Sequence, residues 1–308
     1  MSRYSQTGAN EMGWRTSESR PFRVLACVAL MAGVLMSGCA LTFGYTHADW
    51  LIEWQADHYL DLTSGQRTEL RTRAARLLHR HRVEALPQYL EFLVELKERV
   101  RRGVTLDDME WVYAAYDRFR LDLVERALPD GSALMSTVTE KQVQHVEQVL
   151  HREERKARES LGRSDDIRRD ERVGKALGWA KTWVGPLSVG QREQLRIAVA
   201  ALPDLEPLWL ESRREHRQAF VDLLRRPETG GSLIDDLRRI MNPSQDGSGA
   251  TRAQGEEEWR AGVAAAIVQL DRMLTPVQRS RALIFIQERI DEIRTLTRAV
   301  SSKMHHSQ

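Results

Sequence analysis

The sequence Leu62-Thr63-Ser64-Gly65-Gln66 is a helix-start signal, and the same signal occurs four times in the chain. A Ser or Thr followed three residues later by Gln forms a capping box. The hydroxyl accepts a hydrogen bond from the amide of the third helical residue, and the Gln side chain reaches back to the amide of the capping residue. Each box therefore predicts the first turn of a helix. The boxes are formed by Thr63 and Gln66, Thr139 and Gln142, Ser188 and Gln191, and Thr275 and Gln278.

Apolar residues at helical spacing follow these boxes, as in residues 276–300. No stretch has the alternation of apolar and polar residues, bounded by turns, that predicts β-hairpins. We therefore expect an all-α protein, a multi-helix antiparallel bundle of about nine or ten helices joined by short loops.

Three stretches predict where helices end. Thr105 begins a helix that we expect to end at Leu128, because residues 129–132 (Pro-Asp-Gly-Ser) have the composition of a turn. Residues 242–255 are rich in Gly, Ser and polar side chains, which predicts a linker. Residues 301–308 are expected to form a disordered tail, so the helical domain should occupy residues 46–300.

The triplet Ala-Leu-Pro follows the first and the third box, at residues 85–87 and 201–203, and precedes a new helix in both places. This similarity suggests two related halves, 46–163 and 164–300. However, the distance from box to proline differs by nine residues between them, and recurring helix caps produce such patterns by chance. An ancient duplication and a chance similarity therefore both stay open.

The stretch from Val24 to Ala40 is typical of a secretory signal peptide. Basic residues precede a run of twelve apolar or small residues, from Val24 to Leu35. The run is too short to span a bilayer, which takes about 20 residues. Residues 36–39 (Met-Ser-Gly-Cys) resemble the lipobox of bacterial lipoproteins, although Leu is usual in place of the Met. Met1 and Met12 are both candidate start residues.

The lipobox resemblance implies that residues 1–38 are removed and that Cys39 carries acyl chains such as palmitate. Durable anchoring needs two or more chains, because one chain gives only marginal membrane binding. Residues 39–45 would form the lipidated tether. Ala40, in place of Asp, implies sorting to the outer membrane, with the protein facing the periplasm. The alternative is a secreted or inner-membrane protein in which Cys39 is an incidental small residue.

Charge and cysteine content exclude some classes of protein. The chain has 46 basic and 44 acidic residues, and residues 1–38 hold four of the former and two of the latter, which leaves 42 of each sign. This balance provides no basic surface for nucleic acid. Cys27 lies in the signal peptide and Cys39 would be lipidated, so no disulfide is expected and the core alone must hold the fold.

The first helix is predicted from about Thr46 to Leu60, with an acidic row and an aromatic row at four-residue spacing. Each like-charge pair at this spacing costs roughly 0.2–0.5 kcal/mol. We expect arginines of the next helix to offset the acids; a divalent-cation or basic-ligand site is the alternative. The tryptophans are expected in the core, with a ligand platform as the alternative. The candidate functional surface comprises Asp49, Trp50, Glu53, Trp54, Asp57, His58 and Asp61, and the candidate arginines are Arg67, Arg71 and Arg73.

Residues 43–66 read FGYTHADWLIEWQADHYLDLTSGQ. They resemble the opening of a family of proteobacterial lipoproteins, domain-of-unknown-function family 6279. The shared features are an N/H-A-D-W-L segment after the lipobox and an aromatic and acidic stretch that leads into D-L-T-x-x-Q. The resemblance extends along most of the mature chain. It implies an all-helical envelope lipoprotein, and it brings no activity and no catalytic residues.

No motif for a serine nucleophile, a phosphate-binding loop, a dinucleotide site or a metalloprotease occurs in the sequence. His79 and His81 point to different faces of a helix, and His145 and His151 cannot share a metal ion from one straight helix. We expect these histidines to be solvated or to cap helices. Neither a metal nor a cofactor is predicted.

Two functions stay open. The first is a non-catalytic, lipid-anchored helical module that binds an envelope protein or has a structural role. A chaperone-like activity belongs to this class, because L-T-x-x-Q at 62–66 and 274–278 weakly resembles the paired motifs of Spy-like periplasmic chaperones. The second is an envelope hydrolase that uses carboxylates of the first helix, such as Asp57 and Asp61, near Trp50 and Trp54.

Overall fold

The computed structural model describes residues 44–226, 231–242 and 250–305. All regular structure in these ranges is helical and none of it is a strand, which confirms the predicted all-α, multi-helix fold. The helices of these ranges are α1 (Ala48–Leu60), α2 (Ser64–Arg80), α3 (Leu86–Arg102), α4 (Leu106–Met135), α5 (Glu140–Leu161), α6 (Asp165–Val184), α7 (Val189–Ala200), α8 (Glu206–Arg225), α9 (Gly231–Met241), α10 (Ala250–Arg272) and α11 (Pro276–His305).

None of the helices in the described ranges is long and apolar enough to cross a membrane. The predicted signal peptide, lipobox and Cys39 lie outside the described residues.

All four capping boxes are present. In α2, α5 and α7 the capping hydroxyl accepts a hydrogen bond from the Gln amide, and the Gln side chain accepts one from the amide of the capping residue. At the start of α11 the same two bonds join Thr275 and Gln278 at 3.2 and 3.0 Å. Thr105 and Asp108 form a fifth box at the start of α4. These bonds satisfy amides that a helix start otherwise leaves without partners.

Helix α4 does not end at Leu128 as the sequence predicted. It continues through Pro129 to Met135. A proline in a helix interior costs about 3 kcal/mol, and contacts of the following turn offset this cost. Asp130 pairs with Arg73 at 3.2 Å and with Arg80 at 3.3 Å, both from α2, and Leu134 of the same turn is buried.

The first Ala-Leu-Pro triplet does not separate two helices. Residues His81–Ala85 form a π-helical segment that joins α2 directly to α3, with Pro87 in the first turn of α3, where its missing N–H is harmless. The second triplet does lie in a break, because residues 201–205 form the non-helical connection between α7 and α8.

The predicted linker, tail and tether are each shorter than expected. Helix α10 begins at Ala250, so the linker prediction is wrong for residues 250–255; a Cβ on Gly255 would lie 3.1 Å from the Leu205 side chain. Helix α11 continues to His305, beyond the expected end at residue 300. Tyr45, placed in the tether, is buried in the core. At Gly255 and Tyr45 the reason is contact with residues distant in the chain, which composition does not reveal.

The core is built mainly where long helices pack in pairs. Helix α3 packs along α11, and α8 packs along α5. Helix α1 packs on α2 and α5, while α6 packs on α7 and α11. The α3–α11 cluster includes Leu86, Leu93, Ile286, Ile290 and Ile293, and the α5–α8 cluster includes Val143, Val146, Val149, Leu150 and Val221.

Candidate functional surface on the first helix

Helix α1 ends sharply just before the first capping box. Asp61 adopts a left-handed backbone conformation, with φ of 47°, and its amide donates to the Asp57 carbonyl at 2.8 Å. The Asp57 carboxylate accepts a hydrogen bond from the amide of Leu62 at 3.0 Å. This turn fixes the direction of α1 relative to α2, so the outward face of α1 is held in a defined position.

Two acids of the predicted row pair with arginines of α2. Arg71 forms a two-pronged pair with Glu53, with one contact of 2.8 Å, and Arg67 lies 2.7 Å from Asp57. The Arg71 hydrogen bond holds the pKa of Glu53 below its usual value. The predicted offset by arginines of the next helix is therefore confirmed for Arg67 and Arg71.

Arg73 does not join this row. It pairs with Glu69 on its own helix at 2.7 Å and with Asp130 of α4. The side chain of Asp49 accepts a hydrogen bond from the amide of Trp50 at 2.8 Å. Within the described residues no three His, Cys, Asp or Glu side chains are grouped so that they could hold a metal ion.

Trp50 and Trp54 lie on the surface, so the expectation that they are core residues is wrong. Their exposed fractions are 59 % and 55 %. The buried face of α1 is formed instead by the neighbouring rows, which contain Ala48, Ile52, Ala56, Tyr59 and Leu60. Small and aliphatic side chains let α1 approach α2 and α5 closely, and the indole rings are left on the outer side.

The exposed rings form a stacked ladder, which we call the aromatic row. The Trp50 and Trp54 ring centroids are 6.5 Å apart with planes inclined by 21°, and those of Trp54 and His58 are 6.2 Å apart and inclined by 18°. The Glu53–Arg71 and Asp57–Arg67 pairs lie on the adjacent side of the helix. The result is a continuous aromatic strip beside neutralised charges, on a rigid element.

Sequence reasoning missed a buried histidine. His81, expected to be solvated or capping, is only 3 % exposed and lies in the π-helical segment. Its Nδ1 is 3.1 Å from the Tyr45 hydroxyl, and its Nε2 is 3.2 Å from the Tyr89 hydroxyl. The spacing of the two tyrosines from His81 gives no periodic signal, because the contact with Tyr45 crosses between separate elements.

The hydrogen bonds around His81 fix its tautomer. The Tyr45 hydroxyl donates to the Leu78 carbonyl at 3.1 Å, so it can only accept from His81. Nδ1 therefore carries the proton, and Nε2 accepts from the Tyr89 hydroxyl. Burial lowers the pKa of His81 to about 4, aided by the charge of Arg126. The neutral ring thus holds Tyr45, three residues before α1, in the core.

A cavity of about 320 Å³ lies away from the aromatic row, between α8, α9 and the start of α10. Its charged side chains compensate each other. Asp236 lies 2.7 Å from Arg239 and 3.6 Å from Arg226. Asp236 is therefore held in ion pairs with two arginines of the lining.

A family model described as Family of unknown function (DUF6279) matches residues 58–246. The chain belongs to this family. The match begins in the last turn of α1 and covers the first three capping boxes, and it confirms the family that residues 43–66 resemble. The family carries no assigned activity. No curated protein and no solved structure matches the chain.

Proposed function

We propose that this DUF6279 protein is a lipid-anchored, non-catalytic helical module of the bacterial cell envelope, and that the aromatic row of α1 is the surface with which it binds an envelope protein. The observation that carries the proposal is the exposure of the stacked Trp50, Trp54 and His58 rings. Tryptophan has the largest apolar area of any side chain and is enriched at the centres of protein interfaces.

The acids beside the row support binding rather than hydrolysis. Asp57, a candidate for the hydrolase alternative, is bonded to Arg67 and to the amide of Leu62. Glu53 is bonded to Arg71, which lowers its pKa and opposes a role as a general acid. Glu53 and Asp57 therefore stabilise the α1–α2 pair, and no observation favours the hydrolase.

The residues of L-T-x-x-Q likewise form hydrogen bonds within the fold. Gln66 and Gln278 bond to their capping residues and to carbonyls of the neighbouring helix start, and Gln278 is buried. A chaperone-like role therefore gains no support from this motif. Binding is ascribed to the aromatic row, whose rings have no such internal role.

The proposed anchor lies close to the proposed binding surface. Cys39 precedes Tyr45 by six residues, and a fully extended chain of that length spans at most about 20 Å. Because Tyr45 is fixed in the core, an acylated Cys39 would hold α1 near the membrane surface. A partner in the same membrane or just beneath it would then meet the aromatic row.

The anchor is tested by metabolic labelling with palmitate in cells that produce the full-length protein. We expect label in the natural protein and none in Cys39→Ala, together with outer-membrane fractionation of the natural protein only. Equal labelling of both proteins, or retention of residues 1–38 in the purified natural protein, would refute the anchor.

The binding surface is tested with a photoreactive amino acid at position 54 in living cells. Position 284 is a matched control, because Ile284 is also 55 % exposed but lies on α11. We expect a discrete adduct with one envelope protein at position 54 that is absent at position 284. The same adducts at both positions, or only the most abundant envelope proteins at position 54, would contradict the proposal.

A further inference from the structure

The first two capping boxes are joined to each other. The side-chain Nε2 of Gln142 donates to the side-chain oxygen of Gln66 at 2.7 Å. In return, Nε2 of Gln66 lies 3.3 Å from the side-chain oxygen of Gln142. The starts of α2 and α5, which are 76 residues apart, therefore meet through a reciprocal pair of amides.

The third and fourth boxes are joined in the same way. Gln191 donates to Gln278 at 2.8 Å, and Gln278 donates to Gln191 at 2.9 Å. The starts of α7 and α11 therefore form a second reciprocal pair. Each pair places two helix N-termini side by side, and each Gln both donates to and accepts from its partner.

The four Gln side-chain amides also make equivalent hydrogen bonds to backbone carbonyls. Each Gln donates to the carbonyl of the residue that lies two positions before the capping residue of its partner box. Chance recurrence of caps explains four boxes, but it does not explain four identical cross-contacts. The contacts are Gln66 to Thr137 at 3.0 Å, Gln142 to Asp61 at 3.2 Å, Gln191 to Met273 at 2.8 Å and Gln278 to Pro186 at 2.8 Å.

The helices that start at the boxes bury the same positions. In all four, the residues seven and eleven positions after the capping residue are buried, on the face that also carries the Gln. These residues are Leu70 and Ala74, Val146 and Leu150, Leu195 and Val199, and Ala282 and Ile286.

Helix contacts inside residues 44–163 are repeated inside residues 164–305. Helix α1 packs on α2 and α5, and α6 packs on α7 and α11; α2 packs on α4, and α7 packs on α10. The order along the chain is also the same, since α1, α2, α3, α4 and α5 correspond to α6, α7, α8, α10 and α11. An exposed tryptophan lies nine residues before the capping residue in both halves, Trp54 in α1 and Trp179 in α6.

The contacts between the halves are reciprocal. Helix α3 of the first half packs along α11 of the second, and its counterpart α8 packs along α5 of the first. Helix α4 packs on its own counterpart, α10, as expected for elements on either side of a two-fold axis. Arg225 of α8 reaches Glu147 of α5 at 2.6 Å, and Lys97 of α3 reaches Gln287 of α11.

We infer that the chain is two copies of one five-helix unit, fused in tandem and interlocked by the exchange of one helix in each direction. The surfaces of α5 and α11 are the interfaces of this exchange, and the partner that fits each of them is the third helix of the other copy. Exchange of an identical element between protomers is a common route to dimers, and here a single chain contains both partners.

Two additions distinguish the copies. The first copy has the π-helical segment His81–Ala85 after its first box helix, and α2 is longer than α7. The second copy has α9, which packs on α4 and α8 and has no counterpart between α3 and α4. Both changes occur at a junction between helices, so they leave intact the helix contacts that the two copies share. The longer α2 and the π segment account for the unequal box-to-proline distances.

The inference is tested in the full-length protein with a specific protease site inserted at residues 162–164, between the copies. Cysteine pairs at 97 and 287, and at 147 and 225, report the two exchange interfaces through a short thiol-reactive crosslinker. After cleavage we expect the fragments to co-elute, and each pair to join them on a denaturing gel. Cysteines at 97 and 225, on the two exchanged helices, serve as the control and should not join them.

Separation of the cleaved fragments under native conditions would overturn the inference, because tandem units without exchange need not stay together. Joining at one interface alone would overturn the reciprocity. Joining by the control pair would also overturn the inference, because it would show that α3 and α8 are not held on separate interfaces. None of these outcomes depends on whether Cys39 is acylated or whether the aromatic row binds a partner.

Discussion

At the scale of single residues, the contact between Tyr45 and His81 holds a residue just before α1 in the core. The neutral His81 ring donates to the Tyr45 hydroxyl, which donates in turn to the carbonyl of Leu78. A charged ring would lose its acceptor for Tyr89 and would be buried without a counter-charge in contact. The packing of Tyr45 therefore depends on the protonation state of the His81 side chain.

This dependence predicts a loss of stability in acid. The pKa of His81 is about 4 in the folded protein and about 6.5 in an unfolded chain. Between these values the unfolded chain binds more protons, so stability is complete above about pH 6.5 and is lost as the pH falls towards 4. The loss from this group at pH 4 is about 3 kcal/mol.

Chemical unfolding at pH 7 and pH 4 measures the loss, with His81→Gln as the reference because Gln does not titrate. We expect the natural protein to lose more stability between the two pH values than the variant does. Equal losses would show that other groups, such as the Arg-paired Glu53 carboxylate, account for the acid sensitivity.

At the scale of helices, the capping boxes act both at a helix start and between helices. Gln142 accepts from the Thr139 amide at 3.0 Å and donates to the Leu60 carbonyl at 2.9 Å. We expect Gln142→Ala to cost on the order of 2 kcal/mol, because it leaves buried polar groups without partners. Thr63→Ala, at an exposed cap, should cost roughly 0.5–2 kcal/mol. Urea unfolding of both variants measures the difference; a smaller loss for Gln142→Ala would refute the interhelical role.

Pro129 provides a second prediction at this scale. It lies inside α4, where it removes one backbone hydrogen bond and its ring crowds the preceding turn. We expect Pro129→Ala to raise the free energy of unfolding by roughly 1–3 kcal/mol. Thermal unfolding measures the change, with Ala133→Gly in the same helix as a control for helix propensity. A destabilised Pro129→Ala would mean that the packing of residues 130–135 requires the bend imposed by proline.

At the scale of the whole molecule, the exchanged helices couple the two halves. Unfolding one half would remove the partner of α3 or of α8 from the other. We therefore expect a single unfolding transition, with calorimetric and van't Hoff enthalpies that agree. Two resolved transitions in scanning calorimetry would show instead that the halves unfold independently.

The sequence by itself determined the helical class, the helix starts at the four capping boxes and the family. Capping boxes and helical periodicity depend on residues within one or two turns, so their physics is contained in short stretches of chain. Arg67 and Arg71 could be assigned to the acids of α1 for a similar reason, since the two helices are consecutive and are joined by a tight turn.

Only the tertiary structure decided which way the helices face and which helices meet. The outward position of Trp50 and Trp54, the burial of His81 and the passage of α4 through Pro129 all depend on partners from other elements. The pairing of Gln66 with Gln142 and of Gln191 with Gln278, and the exchange of α3 and α8, join residues that are far apart in the chain. Local patterns carry no information about such distant partners, because the burial of a side chain depends on which other helices pack against it.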